Sequence, residues 1–161
     1  MKIVVISDTH DREAELKQFI KMINKDGIKV LIHCGDFCAP FMIKALAEFE
    51  REVHCVFGNT DDRYISSKLA KKRGINLHGD FAQIEIEGRK IAFIHDDVLG
   101  RLLAETNKFD AVFHGHHHKS YQEKVSNTLL ANPGEMAGLN GIPTYGVYDT
   151  DKNEIEIKEF K

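Results

Sequence analysis

Apolar residues follow two different rhythms along the chain. The first, Lys2-Ile3-Val4-Val5-Ile6-Ser7, is a continuous β-branched run, the pattern of a strand buried on both faces. Asp11 then stands where it can cap a helix, and Leu16, Phe19, Ile20 and Ile23 recur at helical spacing until Asp26-Gly27 ends it. Residues 30–34 and 52–57 read as two more strands, each followed by a helical stretch: 41–49 after Pro40, and 65–73 before Gly74. Three strand–helix units predict parallel pairing with right-handed crossovers. The second half is different. Residues 81–87 and 90–95 flank Gly88-Arg89, as in a hairpin. A helix is predicted over 99–107, burying Leu99, Leu102 and Leu103, and a strand over 110–114. Residues 121–125 and 129–131 flank a turn at Ser126-Asn127, and 144–149 and 154–158 flank 151–153. No repeat, linker or boundary interrupts the pattern. The expectation is one domain over residues 1–161, α/β in class, built as two stacked mixed β-sheets with helices outside.

Composition narrows the function classes. The 161 residues suit one core; 42% are hydrophobic and 29% charged, with a formal net charge of −3. No basic block points to nucleic acid or an acidic membrane surface. No apolar run reaches 18 residues, so no transmembrane helix is expected. The N-terminal apolar run is too short for a signal peptide and is ended by Asp8, so a cytoplasmic location is expected. The three cysteines, Cys34, Cys38 and Cys55, form no paired framework and are expected as reduced thiols, with Cys34 packing in the core.

Metal-ligand side chains gather where apolar strands end. Asp8 and His10 follow the first strand at spacing i, i+2, facing one way if the chain stays extended. Asp36 follows Gly35 and Asn59 follows Gly58, glycines that let the backbone turn sharply. His95 ends Ile91-Ala92-Phe93-Ile94. After Ala111-Val112-Phe113 come His114-Gly115-His116-His117-His118, four histidines in five residues. In extended geometry His114, His116 and His118 share a face and His117 points to solvent. Taken singly, each has a plainer explanation: an Asp or Asn after Gly forms turns, and a histidine run can be a solvated loop. Together they suit Mn²⁺, Fe²⁺, Ni²⁺ or Zn²⁺. Seven ligands exceed one four-coordinate ion and fit two ions, about 3.5–4 Å apart, sharing a bridging carboxylate. Two divalent ions, two carboxylates and a hydroxide leave a residual charge of about +1, which complements a phosphate.

In order, Asp8-x-His10, Gly35-Asp36, Gly58-Asn59, His95 and Gly115-His116-x-His118 resemble the five motif blocks of the calcineurin-like metallophosphoesterases. Chain length and Asn132-Pro133-Gly134 resemble, more narrowly, the small YfcE/MJ0936-type phosphodiesterases. The resemblance spans nearly the whole chain. It implies a four-layer α/β/β/α sandwich and two divalent ions, Mn²⁺ foremost, with Ni²⁺, Fe²⁺ or Zn²⁺ as alternatives. One ion would take Asp8, His10, Asp36 and His118; the other Asp36, Asn59, His95 and His116, with Asp36 bridging. A metal-bridging hydroxide would attack a small phosphodiester in line.

Three positions depart from that pattern. Thr60 stands where many larger relatives carry a histidine that protonates the leaving oxygen, which favours esters with good leaving groups. Asp61 matches the acidic position of that motif without its partner. Asp96 replaces the usual glycine after His95, to orient a ligand or narrow the pocket, and Glu135 replaces a serine often found there. His114 is expected behind the ligands and Asn132 behind them or against phosphate, while His33 and His54 are expected to be structural and Arg63 merely exposed. Two other functions compete with a phosphodiesterase: a phosphomonoesterase or nucleotidase, and a non-catalytic interaction scaffold like the retromer subunit of this fold. Related small members often self-associate, so a homo-oligomer is also among the expectations.

Overall fold

The structure is a computed structural model and describes residues 1–161. The chain runs β1 (Lys2–Ile6), α1 (Glu13–Lys25), β2 (Val30–His33), α2 (Phe41–Leu46), β3 (Glu52–Cys55), α3 (Arg63–Arg73), β4 (Asn76–Leu77), β5 (Phe81–Ile86), β6 (Arg89–Ile94), α4 (Asp97–Glu105), β7 (Ala111–Phe113), β8 (Tyr121–Val125), β9 (Thr128–Asn132), β10 (Thr144–Asp149) and β11 (Glu154–Glu159). One sheet has the order β11-β10-β1-β2-β3-β4 and the other β5-β6-β7-β9-β8. β1, β2, β3 and β4 pair in parallel, as do β6, β7 and β9, while the hairpins pair antiparallel. The sheets are therefore mixed, as expected.

Three apolar clusters separate the layers. Ile6, Phe19, Ile20, Leu31 and Ile43 join the first sheet to α1 and α2. Ile3, Val5, Ile32, Phe93, Phe113 and Tyr148 fill the space between the sheets. Ala104 of α4 packs on Ala92, Val112 and Leu130 of the second sheet. The stack is thus α/β/β/α, and β1 and β2 contribute to two clusters because alternate residues leave opposite faces of a strand. No helix is long and apolar enough to cross a membrane.

Local chemistry accounts for the element ends, with some corrections. Asp62 caps α3 by accepting from the Ile65 N–H at 2.7 Å, and Gly74 closes that helix at φ 75°. Asp11 does not cap α1: its Oδ1 accepts from the Ala39 N–H at 2.9 Å, and Arg12 occupies the cap position. The expected burial of α4 through its leucines is wrong in part. Leu99 and Leu102 are 50% and 53% exposed, and Gly100 and Ala104 are the buried residues. Small residues let the helix approach the sheet closely: a Cβ on Gly100 would stand 3.2 Å from the Cβ of His114. The short strand β4 had no readable pattern.

Candidate metal centre

All seven candidate ligands leave strand ends at one rim of the sandwich. Asp8 and His10 follow β1, Asp36 follows β2 and Asn59 follows β3; His95 follows β6, and His116 and His118 follow β7. Backbone bonds zip these loops together. The Asp8 N–H donates to Gly35 O at 3.0 Å, the His10 N–H to Asp36 O at 2.9 Å, and the Gly115 N–H to His95 O at 3.1 Å.

The loops are not extended, as the i, i+2 argument assumed. Asp8 (φ 52°), His10 (42°), Asp36 (58°), His116 (77°) and His118 (58°) all adopt left-handed backbone. Non-glycine residues pay strain there, and five of the seven candidates carry it, a concentration typical of functional sites. His114 accordingly does not share the face of His116 and His118. Its buried ring meets Gly115 O at 3.0 Å and the Tyr121 hydroxyl, behind the loop, and burial lowers its pKa. His117 is exposed, as expected, and pairs with Asp97 at 2.7 Å.

The side chains form two overlapping groups. Ligand atoms of Asp8, His10 and His118 lie within 4.8 Å of one another, and so do those of Asp8, Asp36 and His95. Asn59 Oδ1 adjoins the second group, 3.1 Å from both His95 Nε2 and His116 Nδ1. The residue common to both groups is Asp8; Asp36 belongs to the second, where its Oδ2 faces His95 Nε2 at 3.4 Å.

Hydrogen bonding fixes which ring nitrogens are free. His95 Nδ1 donates to Cys34 O at 2.9 Å, and His118 Nδ1 donates to Glu135 Oε2 at 2.7 Å. Both leave Nε2 turned inward as the atom a cation would take, the arrangement by which ligating histidines are usually held. His10 Nδ1 lies 3.3 Å from Cys38 Sγ, and its Nε2 stands 3.3 Å from His118 Nε2. Asp8 Oδ1 is buried beside them with no hydrogen-bond partner, 3.3 Å from His118 Nε2. An orphaned carboxylate oxygen facing inward ring nitrogens is an arrangement a cation would satisfy, so the residues fit a divalent metal.

Electrostatics agree. Burial, partly offset by Ser7 and the nearby histidines, pushes the Asp8 carboxyl above its ordinary range. Burial acts the same way on Asp36, but His95 and the Thr60 N–H, which donates at 3.0 Å, outweigh it and hold that carboxyl well below the usual range. Burial opposes charge on His95, yet the facing Asp36 and Asp8 raise its pKa. In the metal-free protein these groups can only neutralise one another.

Close-packed glycines make room. A Cβ on Gly58 would overlap Asp36 Oδ1, and one on Gly115 would overlap Ser7 Oγ and approach Asp8 Oδ2 to 2.6 Å. The remaining candidates act behind the ligands. Asp61 accepts from the backbone N–H of Asp36, Cys38 and Gly58 at 3.1, 2.6 and 2.7 Å, tying two loops together. Asn132 is buried, with its amide donating to Gly115 O and its oxygen accepting from the Gly134 N–H, both at 2.8 Å. These two bonds tie the β7 loop to the Pro133-Gly134 turn from behind the ligands. Asp96 caps α4, accepting from the Leu99 N–H at 2.8 Å, and also lines the adjoining cavity. Cys38 was missed as a neighbour of the site. It touches His10 and also Thr60 Oγ1, at 3.1 Å. Its readable signal is its offset: Cys38 follows Asp36 by two, as His10 follows Asp8.

A cavity of about 230 Å³ opens beside the second group: Asn59, His95 and His116 line it together with Phe57, Arg63, Asp80, Ile94, Asp96 and Leu99.

This fold and this set of converging carboxylates, imidazoles and an amide define a metal-dependent phosphoesterase. The sequence profile of the calcineurin-like phosphoesterase superfamily domain matches residues 1–153. The chain belongs to that superfamily of phosphoric-ester hydrolases. It is 35% identical to Phosphodiesterase MJ0936 of Methanocaldococcus jannaschii over 159 residues, 96% of each chain. A solved structure described as a novel archaeal phosphodiesterase superposes with a TM-score of 0.92 at 31% identity, covering 99% of this chain and 100% of that one. The E. coli phosphoesterase YfcE, at 17% identity, shares the fold over the full length of both chains with a TM-score of 0.72.

Proposed function

We propose that the chain is a dinuclear metal-dependent phosphodiesterase acting on a small phosphodiester. The observation that carries this reading is the pair of ligand groups meeting at Asp8, with an orphaned buried oxygen and inward imidazole nitrogens between them. Asp8, His10 and His118 would hold one ion and Asp36, Asn59, His95 and His116 the other. By the superfamily resemblance Asp36 would be shared by both ions, and Asp8, which belongs to both ligand groups, would offer a second carboxylate to the pair. Two divalent ions, Mn²⁺ foremost, would supply Lewis acidity towards the phosphoryl oxygens and a hydroxide nucleophile at neutral pH.

The protein's own residues set the remaining terms. Glu135 and the Cys34 carbonyl orient His118 and His95, and Asp61 holds the Asp36 and Asn59 loops at a fixed separation. Thr60 cannot protonate a leaving oxygen near pH 7, and its hydroxyl lies against Cys38 Sγ. Esters with good leaving groups should therefore turn over fastest.

The test is to strip the protein of metal, restore Mn²⁺, Ni²⁺, Fe²⁺ or Zn²⁺ singly, and assay an aryl phosphodiester beside the matching monoester. Metal-dependent turnover that favours the diester is expected. Absence of turnover with every metal would overturn the reading, and a preference for the monoester would replace it with a phosphomonoesterase. Asp36→Asn should lose both bound metal and activity.

A further inference from the structure

The cavity beside the metal centre has a composition the phosphoryl chemistry does not require. Besides Asn59, His95 and His116, its lining includes the apolar residues Phe57, Ile94 and Leu99. Its polar members are largely engaged with one another. Arg63 pairs with Asp80 and lays its guanidinium over the Phe57 ring, 4.9 Å from the centroid. Asp96 caps α4. Phe57 and Ile94 are largely buried, so an occupant meets chiefly the Leu99 side chain and the flat cation stacked on Phe57, an environment suited to a ring.

Leu99 sharpens the point. It is 50% exposed and lines the cavity, while α4 reaches the sheet through Gly100 and Ala104. At about 230 Å³ the cavity falls below the roughly 300–1,000 Å³ of sites that enclose a drug-sized ligand. It has room for one substituent of a substrate whose phosphoryl group sits outside it, at the ligand groups.

We propose that this cavity is the subsite for an apolar, ring-bearing ester arm of the phosphodiester, with Leu99 as its specificity-determining contact. The inference rests on the phosphodiesterase reading, because the metal centre must position the phosphoryl group. An occupant anchored beside Asn59, His95 and His116 places its substituent against Leu99 and the cation stacked on Phe57.

Direct binding tests this without relying on turnover. Phenylphosphonate and methylphosphonate share an anionic head and differ in the arm, and neither is hydrolysed. Calorimetric titration of the Mn²⁺-loaded protein should show phenylphosphonate bound about tenfold or more tightly, within the range a hydrophobic pocket gives for a small group. Leu99→Gln, a substitution at a half-exposed position, should reduce that ratio to within about threefold. Leu102→Gln, an equally exposed leucine outside the cavity lining, should retain it. Equal affinities for the two phosphonates in the wild-type protein would overturn the subsite while leaving the metal site standing. So would an unchanged ratio in Leu99→Gln. If neither phosphonate binds, the metal-centred reading falls and the subsite falls with it. If Leu99→Gln changes the sedimentation behaviour but not the ratio, the exposed leucine serves contact between copies of the chain, and the subsite is wrong.

Discussion

Asp8 brings a carboxylate into the interior and leaves one of its oxygens without a donor. In the metal-free protein that is a liability, since burial pushes its pKa up and disfavours the ionised form. Asp8→Asn is therefore expected to leave the metal-free protein at least as stable, with a gain of up to about 1 kcal/mol. The wild-type Tm should rise on adding Mn²⁺, because a ligand that binds only the folded state stabilises it, and the variant should lose that rise. Thermal unfolding of both proteins with and without Mn²⁺ decides; a clear destabilisation of metal-free Asp8→Asn would show that the carboxylate is structural. Glu135 poses the complementary case. It accepts the His118 Nδ1–H, so Glu135→Gln should weaken metal binding by about 10–100-fold with little change in the metal-free Tm. Titration with Mn²⁺ measures this, and an unchanged affinity would remove Glu135 from the site. That Asp8, His10, Asp36, Asn59, His95, His116 and His118 gather at one rim was legible because carboxylate, amide and imidazole side chains at strand ends stand out from the apolar runs before them. Their geometry was not. Period-2 reasoning applies to extended backbone, and Asp8, His10, His116 and His118 have positive φ.

The strand-end glycines act at the scale of whole elements, because they set how closely the β2, β3 and β7 loops approach. Gly58 packs against Asp36 and Gly115 against Ser7 and Asp8, with no room for a methyl group. Gly58→Ala and Gly115→Ala should each cost about 1–3 kcal/mol and weaken metal binding, as overpacking in a close-packed region does. Gly141→Ala, where a Cβ would meet nothing within 4 Å, should be neutral or slightly stabilising. Denaturant midpoints for the three variants check the ranking, and equal stability of all three would refute the packing argument. Strands and hairpins were legible for physical reasons. β1 and β2 are buried along most of their length and read as continuous apolar runs; the β5–β6 hairpin was expected at Gly88-Arg89 but turns one residue earlier, at Glu87-Gly88, the two positive-φ residues that a tight hairpin turn needs, with Arg89 already paired to Ile86. α4 was misread because the hydrophobic pattern assigns leucines to the core, whereas contact here runs through Gly100 and Ala104. Nothing local to α4 reveals that the His114 ring lies beneath Gly100. Close approach of that kind is a tertiary fact.

Across the whole molecule, two sheets must be joined at one rim, where residues as far apart in sequence as His10 and His118 come within 3.3 Å. The sandwich class was readable from the strand and helix pattern, but which strand ends face one another depends on sheet order, and hairpin and crossover patterns leave that order open. His33 lies behind this rim. It is fully buried at the end of β2, its Nδ1 accepts from the Gly35 N–H at 3.1 Å, and its Nε2 lies 3.0 Å from Thr9 Oγ1. It thereby links the turn that carries Asp36 to the loop between Asp8 and His10. With Nδ1 an acceptor, Nε2 carries the proton and donates to Thr9, so the ring is neutral in the fold. Burial, reinforced by His95, lowers its pKa to about 3. The unfolded chain protonates His33 near its ordinary value of about 6.5, whereas the folded chain refuses the proton until about pH 3. Between those values the unfolded state binds more protons, so stability falls as pH falls. The contribution is complete above about pH 6.5 and declines by up to about 1.4 kcal/mol for each pH unit below it. Because Asp8, Asp36 and His95 titrate in the same protein, the discriminating quantity is a difference between proteins. Urea midpoints of metal-free wild type and His33→Gln at pH 7.5, 6.5, 5.5 and 4.5 supply it. The variant should be less stable at pH 7.5, having lost the fit to Gly35 and Thr9, and the gap should narrow steadily below pH 6.5. Parallel curves for the two proteins would show that His33 takes up its proton alike in the folded and unfolded chains, and the neutral buried imidazole would no longer account for acid sensitivity at this rim.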